Sequence, residues 1–354
     1  MRLVVALAWQ AAALASLAAA AASLPPHIIL LITDDQDLEL GGSSAEVMPK
    51  LHALLAAQGA SASSFFAHVP VCCPSRSSLY SGQYQHNNGV VGNSLAGNCS
   101  SAAWQAGPER RSVATYLQAA GYRTSFAGKY LNTYCAAEAG GVQHVPPGWT
   151  SWHGLCGNSV YYNYTLSTNG VAEAHGDDPD EDYLTSVVLN RTLAFVDASA
   201  PASPPRVPLF MVLSTPAPHA YHVALPKYQT AFPGKGAPRT PAFHARSNAS
   251  TTHWLQAAEG VYGLQPPPSP SSGENSAAFS DLVFRRRWQS LQSVDDILEG
   301  ILLKMAEIGE LDNTFVVYTT DNGLSPSKRT VDRAPTTHPN RKLRHAATST
   351  IRAT

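Results

Sequence analysis

The chain has 354 residues, of which 44% are hydrophobic and 14% charged, with a formal net charge of −1. That length and apolar content allow one large or two modest packed domains. The near-zero charge excludes recognition of nucleic acid or of an anionic membrane by bulk charge.

Met1-Arg2 precedes an alanine-dominated run over residues 3–22 that closes on Ala20-Ala21-Ala22. This predicts a secretory signal peptide over residues 1–22. With Gln10 inside it, the run is too weakly apolar for a stable membrane anchor. Residues 27–32 form a continuous Ile/Leu-rich run before Thr33-Asp34-Asp35, which predicts a buried parallel strand ending in acids. Residues 44–58 have helical spacing through Val47, Leu51, Leu54 and Leu55. In Val71-Cys72-Cys73-Pro74-Ser75-Arg76, Pro74 suits the first position of a helix. Cys72 then lies just before a helix N-terminus, where outward backbone N–H groups favour negative charge. Residues 112–120 predict a helix closed by Gly121, and residues 123–127 a strand ending at Gly128-Lys129. Residues 181–197 read as an amphipathic helix, and residues 209–214 as a strand followed by Pro216, Pro218 and His219. Residues 265–276 are rich in Pro, Ser and Gly and predict a surface loop. Residues 279–308 repeat large apolar residues every three or four positions, with Arg285-Arg286-Arg287 read as a solvated face. Residues 315–319 predict a last strand before Asp321-Asn322-Gly323.

Strands alternate with helices, so the expected class is α/β with a largely parallel central sheet flanked by helices. The chemistry-bearing residues recur just past strand C-termini, where such sheets bind ligands. Asp34, Asp35, Asp321 and Asn322 offer hard oxygen ligands suited to Ca²⁺ or Mg²⁺. They lack the His and Cys of a zinc site. Taken singly, Asp-Asn-Gly is an ordinary turn and a lone Lys or His an ordinary solvated group. Four Asn-x-Ser/Thr sequons, at Asn98, Asn163, Asn190 and Asn248, fit secretion. If Cys72 is set aside, Cys73, Cys99, Cys135 and Cys156 suffice for two disulfides of undetermined pairing, and Cys73 as a buried thiol fits equally.

Cys72-x-Pro74-Ser75-Arg76 followed by Ser81-Gly82 resembles the signature of the type I sulfatases, and the resemblance runs from about Pro26 to Gly323. Gly157-Asn158-Ser159, Tyr161-Tyr162-Asn163-Tyr164-Thr165, His253-Trp254-Leu255 and Arg287-Trp288-Gln289-Ser290-Leu291 place it nearest the glucosamine-6-sulfatase branch, with arylsulfatases a near second. The resemblance implies an alkaline-phosphatase-like fold and hydrolysis of sulfate monoesters, here the 6-sulfate of N-acetylglucosamine units in glycosaminoglycans. It implies that a formylglycine-generating enzyme converts Cys72 to formylglycine during secretion. Cys72, Arg76, Lys129 and His219 become the catalytic residues. One Ca²⁺ is expected on Asp34, Asp35, Asp321 and Asn322, with Cys72 as a further ligand. A sulfated glycan or aryl sulfate is the expected partner, nucleic acid and a stable membrane anchor are not, and the expected location is lysosomal or extracellular.

Two departures stand out. Many sulfatases carry a histidine two residues after the Gly-Lys pair, whereas Leu131 and Asn132 follow here. Beyond Gly323 the family continues with a second lysine, further strands and a smaller C-terminal domain, which the chain lacks; Lys328 and Lys342 lie in unrelated surroundings. The expected organisation is therefore a signal peptide over 1–22, an incomplete catalytic domain over 26–323 and a basic tail over 324–354 that is disordered by composition. Two other readings follow: a non-catalytic form that binds sulfated glycans, and a phosphoryl-transfer enzyme needing a second metal set.

Overall fold

The structure, a computed structural model, describes residues 25–199, 206–240, 277–324 and 349–352. The predicted signal peptide, the 265–276 loop, the sequon at Asn248, the His253-Trp254-Leu255 segment, Lys328 and Lys342 all lie outside the described residues.

A nine-stranded sheet organises the chain. Its strands are β1 (His27–Thr33), β2 (Ala60–Ala62), β3 (Arg123–Lys129), β4 (Ser151–Leu155), β5 (Thr165–Thr168), β6 (Val171–Ala174), β7 (Leu209–Ser214), β8 (Thr314–Thr320) and β9 (Ser349–Arg352). They lie in the order β2-β9-β8-β1-β7-β3-β4-β5-β6. The central five, β8-β1-β7-β3-β4, are parallel. The outer pairings are antiparallel.

Period-two alternation sends each strand's side chains to opposite faces. Ile29 and Leu31 of β1, with Leu209, Met211 and Leu213 of β7, join one core. Ile32, Phe210 and Val212 join the other. The first core is covered by α3 (Leu184–Ser199) and α4 (Ala277–Glu307) through Leu184, Val188, Leu291, Val294, Leu298 and Ile301. The second is covered by α1 (Cys72–Ser81) and α2 (Val113–Ala119), with Trp104, Phe126, Tyr130 and Trp152 packed beneath them. Continuous apolar strands flanked on both sides are what a parallel sheet requires.

Two expectations change. Residues 44–58 do not form one helix; a π-helical turn at Leu51–Leu55 runs into a 3-10 turn at Ala56–Gln58. Pro49 lacks an N–H and its ring clashes with a preceding carbonyl, so the helix cannot extend back through it. Helix α1 starts at Cys72, two residues before Pro74. Proline is tolerated there because N–H groups in the first turn have no intrahelical acceptor. In the tail expected to be disordered, Ser349–Arg352 pairs with both β8 and β2. The other residues of that tail, from 325 on, lie outside the described residues.

Candidate active site

β8, β1, β7 and β3 are neighbours, and Thr33 pairs with Thr320 while Ser214 pairs with both Ile32 and Gly128. The register therefore brings the residues after all four strand ends to one spot. Asp34 and Asp35 follow β1, Asp321 and Asn322 follow β8, Lys129 ends β3, and His219 lies five residues past β7. At the close approach of β3 to β7, Gly128 has φ +105°, and a Cβ there would lie 1.9 Å from the Ser214 carbonyl oxygen. Only glycine fits, and that contact fixes where Lys129 emerges.

Cys72 opens α1, fully buried, with Sγ 3.5 Å from Asp34 Oδ1 and 3.9 Å from Asp35 Oδ1. It stands outside both disulfides, which join Cys73 to Cys99 and Cys135 to Cys156. The alternative of Cys73 as a buried thiol is thereby overturned: its sulfur is bonded to that of Cys99.

Asp34 is the hub. Its Oδ2 accepts from Lys129 Nζ at 2.5 Å and from the Ser159 hydroxyl. Its Oδ1 lies 3.9 Å from Arg76 Nη2. Arg76 donates from Nε to Asp321 Oδ2 at 2.9 Å, and from Nη1 to the Lys129 carbonyl and Ser214 Oγ. Burial works against the Arg76 cation, but Asp321 and Asp34 outweigh it and raise its pKa. Burial, and then the neighbouring Asp34 carboxylate, push Asp321 up to about 6 although Arg76 opposes them. Asp321 Oδ1 accepts from the Asp35 N–H at 3.0 Å, and Asn322 Nδ2 donates to Asp35 Oδ1 at 2.8 Å. His219 brings Nε2 to 3.8 Å from Asp35 Oδ2.

All eight sequence-predicted site residues thus converge. Oxygen atoms of Asp34, Asp35 and Asp321 lie within 4.8 Å of one another, as do ligand atoms of Asp34, Cys72 and His219. The two groups share Asp34, so they describe one centre. Asn322 Oδ1 is buried without a hydrogen-bond partner. Three buried carboxylates and an orphaned amide oxygen form a hard donor set that fits a divalent cation of the Ca²⁺ or Mg²⁺ type. The second metal set that phosphoryl transfer needs is absent among the described residues.

Sequence reasoning missed several members. Asn158 Oδ1 accepts from Lys129 Nζ and from Asn132 Nδ2, each at 3.0 Å, and Ser159 bonds Asp34. The Gly157-Asn158-Ser159 run carried their identity but nothing about their direction. Arg287, expected on a solvated face, is 3% exposed. Its signal was spacing: Arg287, Leu291, Val294, Leu298 and Ile301 repeat every three or four positions, which puts Arg287 on the buried stripe.

A family model described as Sulfatase matches residues 26–348. N-acetylglucosamine-6-sulfatase of Homo sapiens is 44% identical over 299 residues, covering 84% of this chain and 51% of that protein. The chain spans about half the length of the curated relatives it matches first. A protein solved in complex with its substrate, D-glucosamine-2-N,6-O-disulfate, superposes with a TM-score of 0.65 at 19% identity, covering 93% of this chain and 71% of that one. Phosphonate monoester hydrolase of Agrobacterium radiobacter gives 0.63 at 17% identity, covering 93% and 68%. These two likenesses show a shared fold.

Proposed function

The chain belongs to the sulfatase family, and from that premise we propose that it hydrolyses sulfate monoesters, with the 6-sulfate of N-acetylglucosamine units in glycosaminoglycans as substrate. The observation that carries the reading is Cys72, buried outside both disulfides and set among Asp34, Asp35, Arg76, Lys129 and His219. Oxidised to formylglycine by a formylglycine-generating enzyme and hydrated, Cys72 supplies an oxygen nucleophile and a second hydroxyl from which sulfate can be expelled. Asp34, Asp35, Asp321 and Asn322, with the modified Cys72, would hold one Ca²⁺, which draws charge from sulfate oxygens.

The remaining chemistry belongs to the chain's own side chains. Lys129 Nζ uses two of its three donors on Asp34 and Asn158, leaving one for a sulfate oxygen. Arg76 is held at Nε and Nη1, so its charge is fixed before substrate arrives. His219 Nδ1 lies 3.2 Å from the Ala220 carbonyl. A carbonyl only accepts, so that nitrogen carries a proton and Nε2 faces the reaction; in the imidazolium form, with Nε2 protonated as well, it can donate that second proton to the leaving oxygen.

The signal-peptide pattern and sequons support passage through the secretory pathway to a lysosomal or extracellular location. Asn163 and Asn190 are exposed and open to glycosylation, whereas Asn98 Nδ2 donates to the Gly89 carbonyl. Among the described residues, no helix is long and apolar enough to cross a membrane. One second reading is a form that binds sulfated glycans without turnover, supported by the buried cations Arg76 and Lys129 that would hold a sulfate whether or not it is hydrolysed.

Mass spectrometry of the Cys72 peptide from secreted protein, paired with turnover of N-acetylglucosamine-6-sulfate and an aryl sulfate, tests the proposal. The peptide should be lighter by the difference between CH₂SH and CHO, and C72S should abolish turnover because a serine ester has no second hydroxyl. An intact thiol in turning-over enzyme would sink the mechanism. A modified Cys72 with glycan binding and no turnover would favour the second reading.

A further inference from the structure

Arg287 is on the buried stripe of α4, ten residues after the helix starts at Ala277 and not at any strand end, and yet reaches the site from behind. Its Nη2 donates to the Asp35 carbonyl at 2.7 Å and to Asp37 Oδ2 at 2.6 Å. Its Nη1 reaches the Pro218 carbonyl at 3.3 Å. Asp35 and Pro218 belong to different loops, one after β1 and one after β7. The first carries Asp34 and Asp35, and the second carries His219 one residue beyond Pro218. Asp35 has φ +63°, in the left-handed region that a non-glycine residue occupies at a cost. A guanidinium on its carbonyl compensates. The Pro218 carbonyl is held a second time by His222 Nδ1 at 2.8 Å.

We propose that Arg287 is a positioning residue that sets the Asp35 ligand oxygens and His219 relative to each other, and so tunes divalent-cation affinity. The inference rests on the metal site in the functional reading above. Arg287 is suited to this because a rigid planar fork bonds three acceptors in fixed directions, whereas lysine's compact ammonium has rotatable donors on a flexible stem. Asp37 aims the guanidinium: the pair is buried to 4% and 11% side-chain exposure.

The test is Ca²⁺ titration of the full chain by calorimetry, with the cation-induced rise in melting temperature as a second readout, for the parent, R287K, R287M and D37N. Partners of this kind, one bond behind the metal ligands, typically change metal affinity by roughly 10–100-fold when mutated. R287M should weaken Ca²⁺ by that factor, R287K should recover only part of it, and D37N should weaken it less while coupling non-additively to R287M. In turnover assays kcat should fall at subsaturating Ca²⁺ and recover at high Ca²⁺, with KM little changed. Ca²⁺ affinities within about threefold of the parent for R287K and D37N would overturn the proposal, well below that expected range. If R287M does not fold, R287K and D37N decide by the same limits. A parent that binds Ca²⁺ but turns over no sulfate ester would defeat the functional reading and leave the Arg287 titrations to be judged by themselves; a parent that binds no divalent cation defeats both.

Discussion

Replacing Cys73 and Cys99 together by alanine removes the bridge beside Cys72. The bridge joins residues 26 positions apart, and both cysteines are fully buried. Without it, the unfolded chain regains the freedom of a loop of that length. In the chain-entropy account this is worth about 3.5 kcal/mol at 25 °C. The native state retains the Cys73 N–H bond to Asn93 Oδ1 at 2.9 Å, so α1 should keep its start. The assay is urea unfolding of C73A/C99A against the parent under non-reducing conditions. The variant should lose about 3–4 kcal/mol, with a steeper denaturant dependence because its unfolded chain is more expanded. A loss below about 1 kcal/mol would refute the reasoning, since it would mean that the bridge restrains nothing the fold does not already restrain.

Three further outcomes follow from the site and the core. D321A should weaken Ca²⁺ binding by more than the roughly 10–100-fold typical of an outer partner and lower kcat with it, read by calorimetry and turnover in parallel. K129M leaves the Asp34 carboxylate buried without its 2.5 Å partner; breaking such a pair costs about 3–5 kcal/mol in urea unfolding, and turnover should fall roughly 100- to 1,000-fold with the lost donor. Burial first, then Arg206 and Arg191 respectively, holds His27 and His153 down at about 4. The unfolded chain therefore takes up protons near 6.5 that the folded one refuses, so this contribution is intact above that pH and is lost as pH falls toward 4. Urea midpoints with Ca²⁺ saturating should decline across that interval, and H153Q should flatten the decline.

The central strands β1, β7 and β8 were legible because they are short apolar runs ending in polar residues, the pattern a doubly covered parallel strand imposes, while β3, which opens on Arg123-Thr124-Ser125, was placed by the Gly128-Lys129 at its end. β4 was not, since Ser151-Trp152-His153-Gly154-Leu155 mixes polar and apolar residues and its Trp152 is held by packing. The β5–β6 hairpin was readable and missed. Asn169-Gly170 separates the two strands, both with positive φ, as a two-residue hairpin turn demands. At the site, the acids, Lys129 and His219 could be found because strand ends mark them. Asn132, Asn158, Ser159 and Ser214 could not, since their roles arise from the direction of a side chain across a sheet. Arg287 stood between: its charge suggested solvent, while its spacing with Leu291 and Val294 pointed inward.

The site closes over very long stretches of chain. The Asp35–Asp321 hydrogen bond spans 286 positions and the Arg76–Asp321 pair 245. At synthesis rates of about 5–20 residues per second, Asp321 leaves the ribosome roughly 10–50 s after Arg76 does. Throughout that delay the wall that β8 supplies does not exist, whereas in the folded chain Cys72 is wholly buried. On the proposed chemistry, enzymatic oxidation of Cys72 would therefore race against sheet closure, and its yield would depend on elongation speed downstream of α1. On the same proposal a chain allowed to fold first would be trapped with its thiol intact, and the order of events in biosynthesis would decide turnover as much as the final fold does.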